Sequence, residues 1–449
     1  MKGIRHIPAS RFGLSGRGAA LLICAVLFHA SLGLSLRTGW WHSFTFDSTV
    51  THGRLGWDFY ALYQAGRNVL TGVSVYESAD HLIDIVVPRH TPYRYLPLPA
   101  CTLGVAFNLV RAPVAYYLWV AFLQGLLAVC ALAAWCVGGG GDRGAPLAAI
   151  WLLYTPVYLE YYMGQFSLVQ AALILVMLLA AGAGMRRGHA PWRLDAAWAA
   201  SLLWKQNTGL FAPLLLRQRR WRTLLVGGAA VVLLSAPYLI WYPEALSSFA
   251  GNLVSGPPGH QLGNHGVRQL LYGLSTTFFP APDWTGHQFI QQLWVGLVLA
   301  LTLWATWRQP TDDLVMPLCL WTASYFLLYH HVWEHHYVLL LPVYTVLLAR
   351  ERSPWLWLLF ALTAVWTPYR LIDPQGLAAV DASMRWTPLS PRWLHLLYHA
   401  SKAGPTLVLW GMLWRWVAWG RDGQDGRATL CRAALGTTHA RRSRNGAMP

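Results

Sequence analysis

The stretch VAYYLWVAFLQGLLAVCALAAWCV, Val114 to Val137, carries no charged side chain, and its reading decides the fold. A helix needs about 20 apolar residues to cross a hydrocarbon core of roughly 30 Å, and this stretch has them. It is not alone. Apolar segments recur at roughly 19–36, 95–110, 114–137, 146–162, 166–185, 194–216, 223–242, 289–307, 314–329, 337–349, 354–368 and 393–419. Of the 449 residues, 55% are hydrophobic and 12% are charged. The mean hydropathy of +0.36 excludes a soluble protein of this size. The chain reads as an all-α polytopic membrane protein with about 10–13 transmembrane or re-entrant helices.

The net charge of +16 would suggest nucleic acid in a soluble domain. Here Lys and Arg lie between apolar segments, where the positive-inside bias of membrane proteins accounts for them, and no nucleic-acid partner is expected. Cys24, Cys101, Cys130, Cys136 and Cys319 fall inside apolar segments and Cys431 in the tail, so neither a disulfide framework nor a paired metal motif is implied. Lys2, Arg5, Arg11 and Arg17 precede the first apolar run, which is too long for a signal-peptide core and reads as an uncleaved span.

Charge also orders the spans. The basic start at 1–18, Arg217 to Arg222, Arg350 to Arg352 and the tail at 420–449, read as disordered, belong on the cytoplasmic side. Residues 19–419 then form one integral-membrane domain, with loops 37–92 and 243–288 outside and long enough for short surface helices. If every segment between Asp58 and Arg217 crosses, Arg186, Arg187 and Arg193 face outward. If 95–110 and 194–216 are re-entrant, those arginines lie inside and only Arg111 is misplaced. The second arrangement is preferred, and it makes Trp204-Lys205-Gln206-Asn207 the tip of a broken helix pair, since irregular polar backbone at depth is tolerated only beside protein or a water-filled cavity.

Trp57-Asp58-Phe59-Tyr60 with Gly72 and Tyr76, Tyr95-Leu96-Pro97-Leu98-Pro99, Gly164-Gln165 opening an apolar helix, and Leu203-Trp204-Lys205 ahead of Arg217 resemble glycosyltransferase family 87 over roughly residues 50 to 350. The family belongs to the GT-C class of integral-membrane glycosyltransferases, typified by enzymes using polyprenyl-phosphate-mannose. The resemblance implies a GT-C architecture with an extracytoplasmic loop after the first span, a polyprenyl-phosphate-linked sugar donor, a glycan or glycolipid acceptor, and a place in the cytoplasmic membrane. It also carries the family's catalytic aspartate onto Asp58. Lys205-Gln206 stands where the family often has Lys-Pro, a departure that bears on donor and acceptor identity.

Such a transfer needs a carboxylate to deprotonate an acceptor hydroxyl, and cations or hydrogen-bond donors to hold the leaving phosphate. Asp58 fits the first role, although a loop acid or helix cap would look the same. Lys205, an ammonium inside an apolar segment, fits the second, the alternative being an ion pair or snorkelling. Arg94 and Arg268 are further phosphate candidates or interfacial anchors. Tyr60, Gln64, Gln165, Asn264 and His265 are candidate substrate ligands. In His330-His331-Val332-Trp333-Glu334-His335-His336, the resemblance places His335 and His336 near the catalytic acid. A H-x-x-E-H zinc reading of His331, Glu334 and His335 competes with it, as does a polar interfacial collar. No metal or other cofactor is expected. The absence of an Asp-x-Asp motif agrees with a lipid-phosphate donor. A transporter or flippase of a lipid-linked or anionic solute would also use a buried Lys205, but its charges belong at the midplane rather than at segment ends.

Overall fold

The computed structural model describes residues 13–41, 55–77, 82, 84–87, 90–187, 191–254, 264–278, 284–309, 313–351, 353–367 and 392–420. Residues 1–12 of the basic start, the tail beyond 420 and parts of both expected loops therefore lie outside the described residues. The rest is helical: α1 Gly16–Thr38, α2 Trp57–Leu70, α3 Pro97–Phe107, α4 Ala112–Val137, α5 Gly141–Leu152, α6 Val157–Met163, α7 Ser167–Arg187, α8 Pro191–Trp204, α9 Ala212–Arg217, α10 Trp221–Trp241, α11 Ala245–Val254, α12 Val267–Phe278, α13 Trp284–Arg308, α14 Val315–Leu328, α15 Leu341–Arg350, α16 Pro354–Ala364 and α17 Arg392–Trp419. Two 3₁₀ turns, Gln206–Phe211 and Glu334–Leu340, lead into α9 and α15. Extended pairing among the described residues is limited to one bridge, Asn264 to Trp333.

Four described helices are long and apolar enough to cross a membrane alone: Gly16–Thr38, Ala112–Val137, Trp221–Trp241 and Gly286–Arg308. Their outward faces are greasy, as at Leu225, Leu233, Ile240 and Trp241 of α10, which suits a lipid solvent rather than water. The chain is a multi-pass membrane protein. Several of the other helices are shorter and follow one another as relays, α5 and α6 among them. Ser15 caps α1 through its hydroxyl and donates its amide to Asp142 at the start of α5, while Ser35 near the end of α1 meets the Tyr158 hydroxyl in α6. The α5–α6 relay therefore runs alongside α1 from one end of the bundle to the other.

The segment at 194–216 turns back on itself. Helix α8 ends at Trp204, Lys205 takes extended backbone, and the following 3₁₀ turn folds down against α8, where the Trp198 indole donates to the Thr208 carbonyl and the Ser201 and Thr208 hydroxyls meet at 2.6 Å. Helix α10 then starts beside the start of α8, with Thr223 bonded to Asp195 and Gly227 seated against Trp198. Both feet of the hairpin therefore stand at one end, and Lys205 is its tip. That end also gathers Arg222 with Asp195 and Arg350 with Asp313; we call it the basic end.

The segment at 95–110, expected to be re-entrant, forms a short apolar helix seated on α2. Helix α3 is short and packs backbone to backbone on α2: a Cβ on Gly66 would meet the Gly104 backbone at 2.1 Å. Asn108 donates to the Tyr63 carbonyl and the Tyr63 hydroxyl to the Val110 carbonyl. The prolines at 97 and 99 start a helix without leaving an unmet N–H, and the paired glycines let it rest on α2.

Candidate active site

Asp58 lies in the first turn of α2, where the helix dipole favours an anion. Helix α2 begins at Gly56, whose φ of 80° places it in the left-handed region, and the Gly56 amide donates to the Tyr162 carbonyl at 2.7 Å. Gly164, also left-handed with φ 65°, lets the turn after α6 close over Phe59. These contacts set Gln165 beside Asp58. The Gln165 amide donates to Oδ2 at 2.6 Å and the Thr91 hydroxyl to Oδ1 at 2.7 Å.

Only 8% of Asp58 is exposed. Burial pushes its carboxyl above the usual aspartate range, opposed by Thr91, the Arg94 charge, Gln165 and the Lys205 charge, in that order. A carboxylate offers about four lone-pair sites, and the two bonds leave room for an incoming hydroxyl. Asp58 is thus an oriented and unusually basic carboxylate with two cations nearby.

The hairpin tip reaches this point from across the bundle. Lys205 Nζ donates to the Ser167 hydroxyl at 2.8 Å, the Trp204 indole to the Phe166 carbonyl, and Gln170 to Asn207. Glu160 completes the group: fully buried, it accepts the Leu168 amide at 2.9 Å and interacts electrostatically with Lys205. On another side, His335 and His336 also feel the Lys205 charge. Both are buried, and His336 Nδ1 accepts the Trp333 amide at the start of the 3₁₀ turn. Arg94 links Asp58 electrostatically to His330 and His331. Burial, reinforced by neighbouring cations, lowers those two imidazoles to about 4 and about 3, so both are neutral at pH 7.

The other expected ligands are held in contacts of their own. Tyr60 points toward Gly56 and Tyr116, because two residues of helix turn it roughly 200° from Asp58. Gln64 has both ends of its amide engaged by Asn68, the Asp84 carbonyl and the Val86 amide, which brace the chain at 84–86. Asn264 likewise stitches two segments, donating to the His330 carbonyl and accepting from the Gly266 and Val332 amides. His265 is packed on Tyr398 beside His399 and Lys402. Arg268 bonds the Leu328 carbonyl and acts on His330 and His331. His331 precedes the 3₁₀ turn that carries His335, so the two do not share the helical face that the zinc reading requires.

Sequence reasoning passed over Thr91, Glu160, Ser167 and the buried pair Lys402–Glu334, 3.3 Å apart. Two of these carried a signal, since Glu160 and Lys402 are charges inside apolar runs, the same mark that drew attention to Lys205. Thr91 and Ser167 carried none.

A model of glycosyltransferase family 87 matches residues 95–329. That span holds Gln165, Lys205 and Arg268 and lies between Asp58 and His335. Among solved structures, the chain is similar to ArnT from Cupriavidus metallidurans in the apo state, with a TM-score of 0.38 and 16% identity, covering 88% of this chain and 77% of that one. Comparison with curated proteins gives no match.

Proposed function

The chain belongs to glycosyltransferase family 87, of the GT-C class, and on that footing we propose that it moves a hexose, mannose by family resemblance, from a polyprenyl-phosphate donor to a glycan or glycolipid acceptor. We assign the reaction to the outer face of the cytoplasmic membrane; the positive-inside bias, which draws the basic end of the bundle inward, with Asp58 at the other end, supports this reading. The carrying observation is the Asp58 carboxylate, fixed by Thr91 and Gln165 with Arg94 and Lys205 near it.

In this reading Asp58 accepts the proton of the acceptor hydroxyl as its oxygen bonds to the anomeric carbon. The bond from that carbon to the phosphate oxygen breaks, and its electron pair leaves with the phosphate. Lys205 and Arg94 stabilise the departing charge in a site poor in water. Gln165 and Thr91 hold the carboxylate in line, and the neutral His335 and His336 are placed to hydrogen-bond acceptor hydroxyls. Asp58 then returns its proton to solvent.

The test is sugar transfer from a radiolabelled polyprenyl-phosphate donor by the purified full-length protein, wild type against Asp58→Asn. Loss of roughly 10²–10⁴-fold in turnover is expected for a missing general base. Normal turnover in the variant would sink the assignment of Asp58, and no transfer by wild type from any of several donors would favour transport of a lipid-linked solute instead.

A further inference from the structure

Glu160 has no exposed surface, and its segment is otherwise apolar. Its Oε2 accepts the Leu168 amide in the first turn of α7, and the residue before Leu168, Ser167, receives the Lys205 ammonium. The two charges thus converge on consecutive residues. A helix-start amide needs an acceptor but not a charge, since neutral oxygens cap equally well. Burying a carboxylate costs several kcal/mol unless a cation repays it, so the charge of Glu160 answers Lys205 rather than Leu168.

Other groups also act on Lys205. Asp58 is its second anion, from α2, while His335 and His336 approach from the 3₁₀ turn. Arg94 acts on Asp58. A general base loses its negative charge each time it takes a proton, so Asp58 is an intermittent partner for Lys205. We propose that Glu160 is a positioning residue: anchored on Leu168 while Lys205 is anchored on Ser167, it is the counter-charge that keeps Lys205 ionised and held at the hairpin tip while the charge of Asp58 comes and goes. The inference rests on reading Lys205 as the ligand of the donor phosphate.

The probe is sugar-free polyprenyl phosphate, titrated by tryptophan fluorescence into the full-length protein in nanodiscs, with uncharged polyprenol as the control. Glu160→Gln keeps an oxygen for the Leu168 amide and removes only the charge. It is expected to weaken polyprenyl phosphate about tenfold at pH 8, one unit of protonation free energy, and much less at pH 6, while polyprenol binding is unchanged. In a Lys205→Arg background, where the cation stays charged without help, Glu160→Gln is expected to cost nothing further. That rescue is something a mere helix cap cannot produce. If Glu160→Gln alone fails to fold, K205R against K205R/E160Q carries the comparison, and a further tenfold loss in the double variant overturns the proposal. Equal loss at pH 6 and pH 8 overturns it too. Unchanged phosphate binding in Lys205→Met would instead remove the phosphate role of Lys205, and the inference with it.

Discussion

Gly164→Ala tests whether the geometry around Asp58 is set by the turn that carries Gln165. The substitution has two separable costs. Gly164 has φ 65°, and an L-residue held there is strained by about 1–3 kcal/mol. The new Cβ would also lie 2.4 Å from the Phe59 Cβ, where ordinary contact begins at 3.4 Å, so the segments must part by 3.4 − 2.4 = 1.0 Å. Phe59 is next to Asp58 and Gln165 is next to Gly164, so the 2.6 Å bond between them is stretched past hydrogen-bond range. A misplacement of about 1 Å at a reacting group costs on the order of 10²-fold in rate, near 2.7 kcal/mol. Gly72→Ala is the matched control, because Gly72 has φ 73° but open space around its missing Cβ. Both variants should melt earlier in detergent, and only Gly164→Ala should lose about 100-fold in kcat/KM for sugar transfer. Equal kcat/KM in the two would refute the positioning argument.

Two more predictions come from buried charges. Because burial holds the Asp58 carboxyl above the ordinary range and a base works only when ionised, kcat/KM should rise with pH through a value above about 4. Thr91→Val removes a donor to the charged form, so the rising limb should move to higher pH; a shift toward acid in the pH–rate profile would contradict the sign. Lys402→Met leaves Glu334 buried without its cation and strips donors from the Thr363 and Val365 carbonyls at the end of α16. It should destabilise the protein by about 3–5 kcal/mol, read as a lowered melting temperature, and adding Glu334→Leu should recover part of that loss. No recovery in the double variant would mean that the hydrogen bonds to α16, rather than the ion pair, hold this junction.

Class and order of spans were legible because lipid imposes one rule on every crossing segment: an apolar helix that satisfies its own backbone. The hairpin at Lys205 was legible for a related reason, since Arg186, Arg187 and Arg193 could not share an end with Arg217 otherwise. The seat of 95–110 on α2 was not, because it turns on Gly66 meeting Gly104, a contact between segments that hydropathy cannot see. Site residues divided along the same line. Asp58, Gln165 and Lys205 stood out as polar groups beside apolar runs. Gln64 and Asn264 looked the same, but an amide that binds sugar and an amide that braces two loops have one composition. Tyr60 was separable in principle, since helical periodicity alone turns it away from Asp58. Thr91 reaches Asp58 from a loop with no pattern to betray it.

The Asp58–Gln165 bond spans 107 residues of chain, and this separation has a meaning for biogenesis. At roughly 5–20 residues per second, the ribosome needs about 5–20 s after making Asp58 to supply Gln165, long after Thr91, and longer still to deliver Lys205 and His335. Until then the carboxylate lacks the amide that fixes its second oxygen. The burial that raises its carboxyl is completed late, when the sixth and seventh helices dock, so an unfinished chain in the membrane holds the acid without its setting.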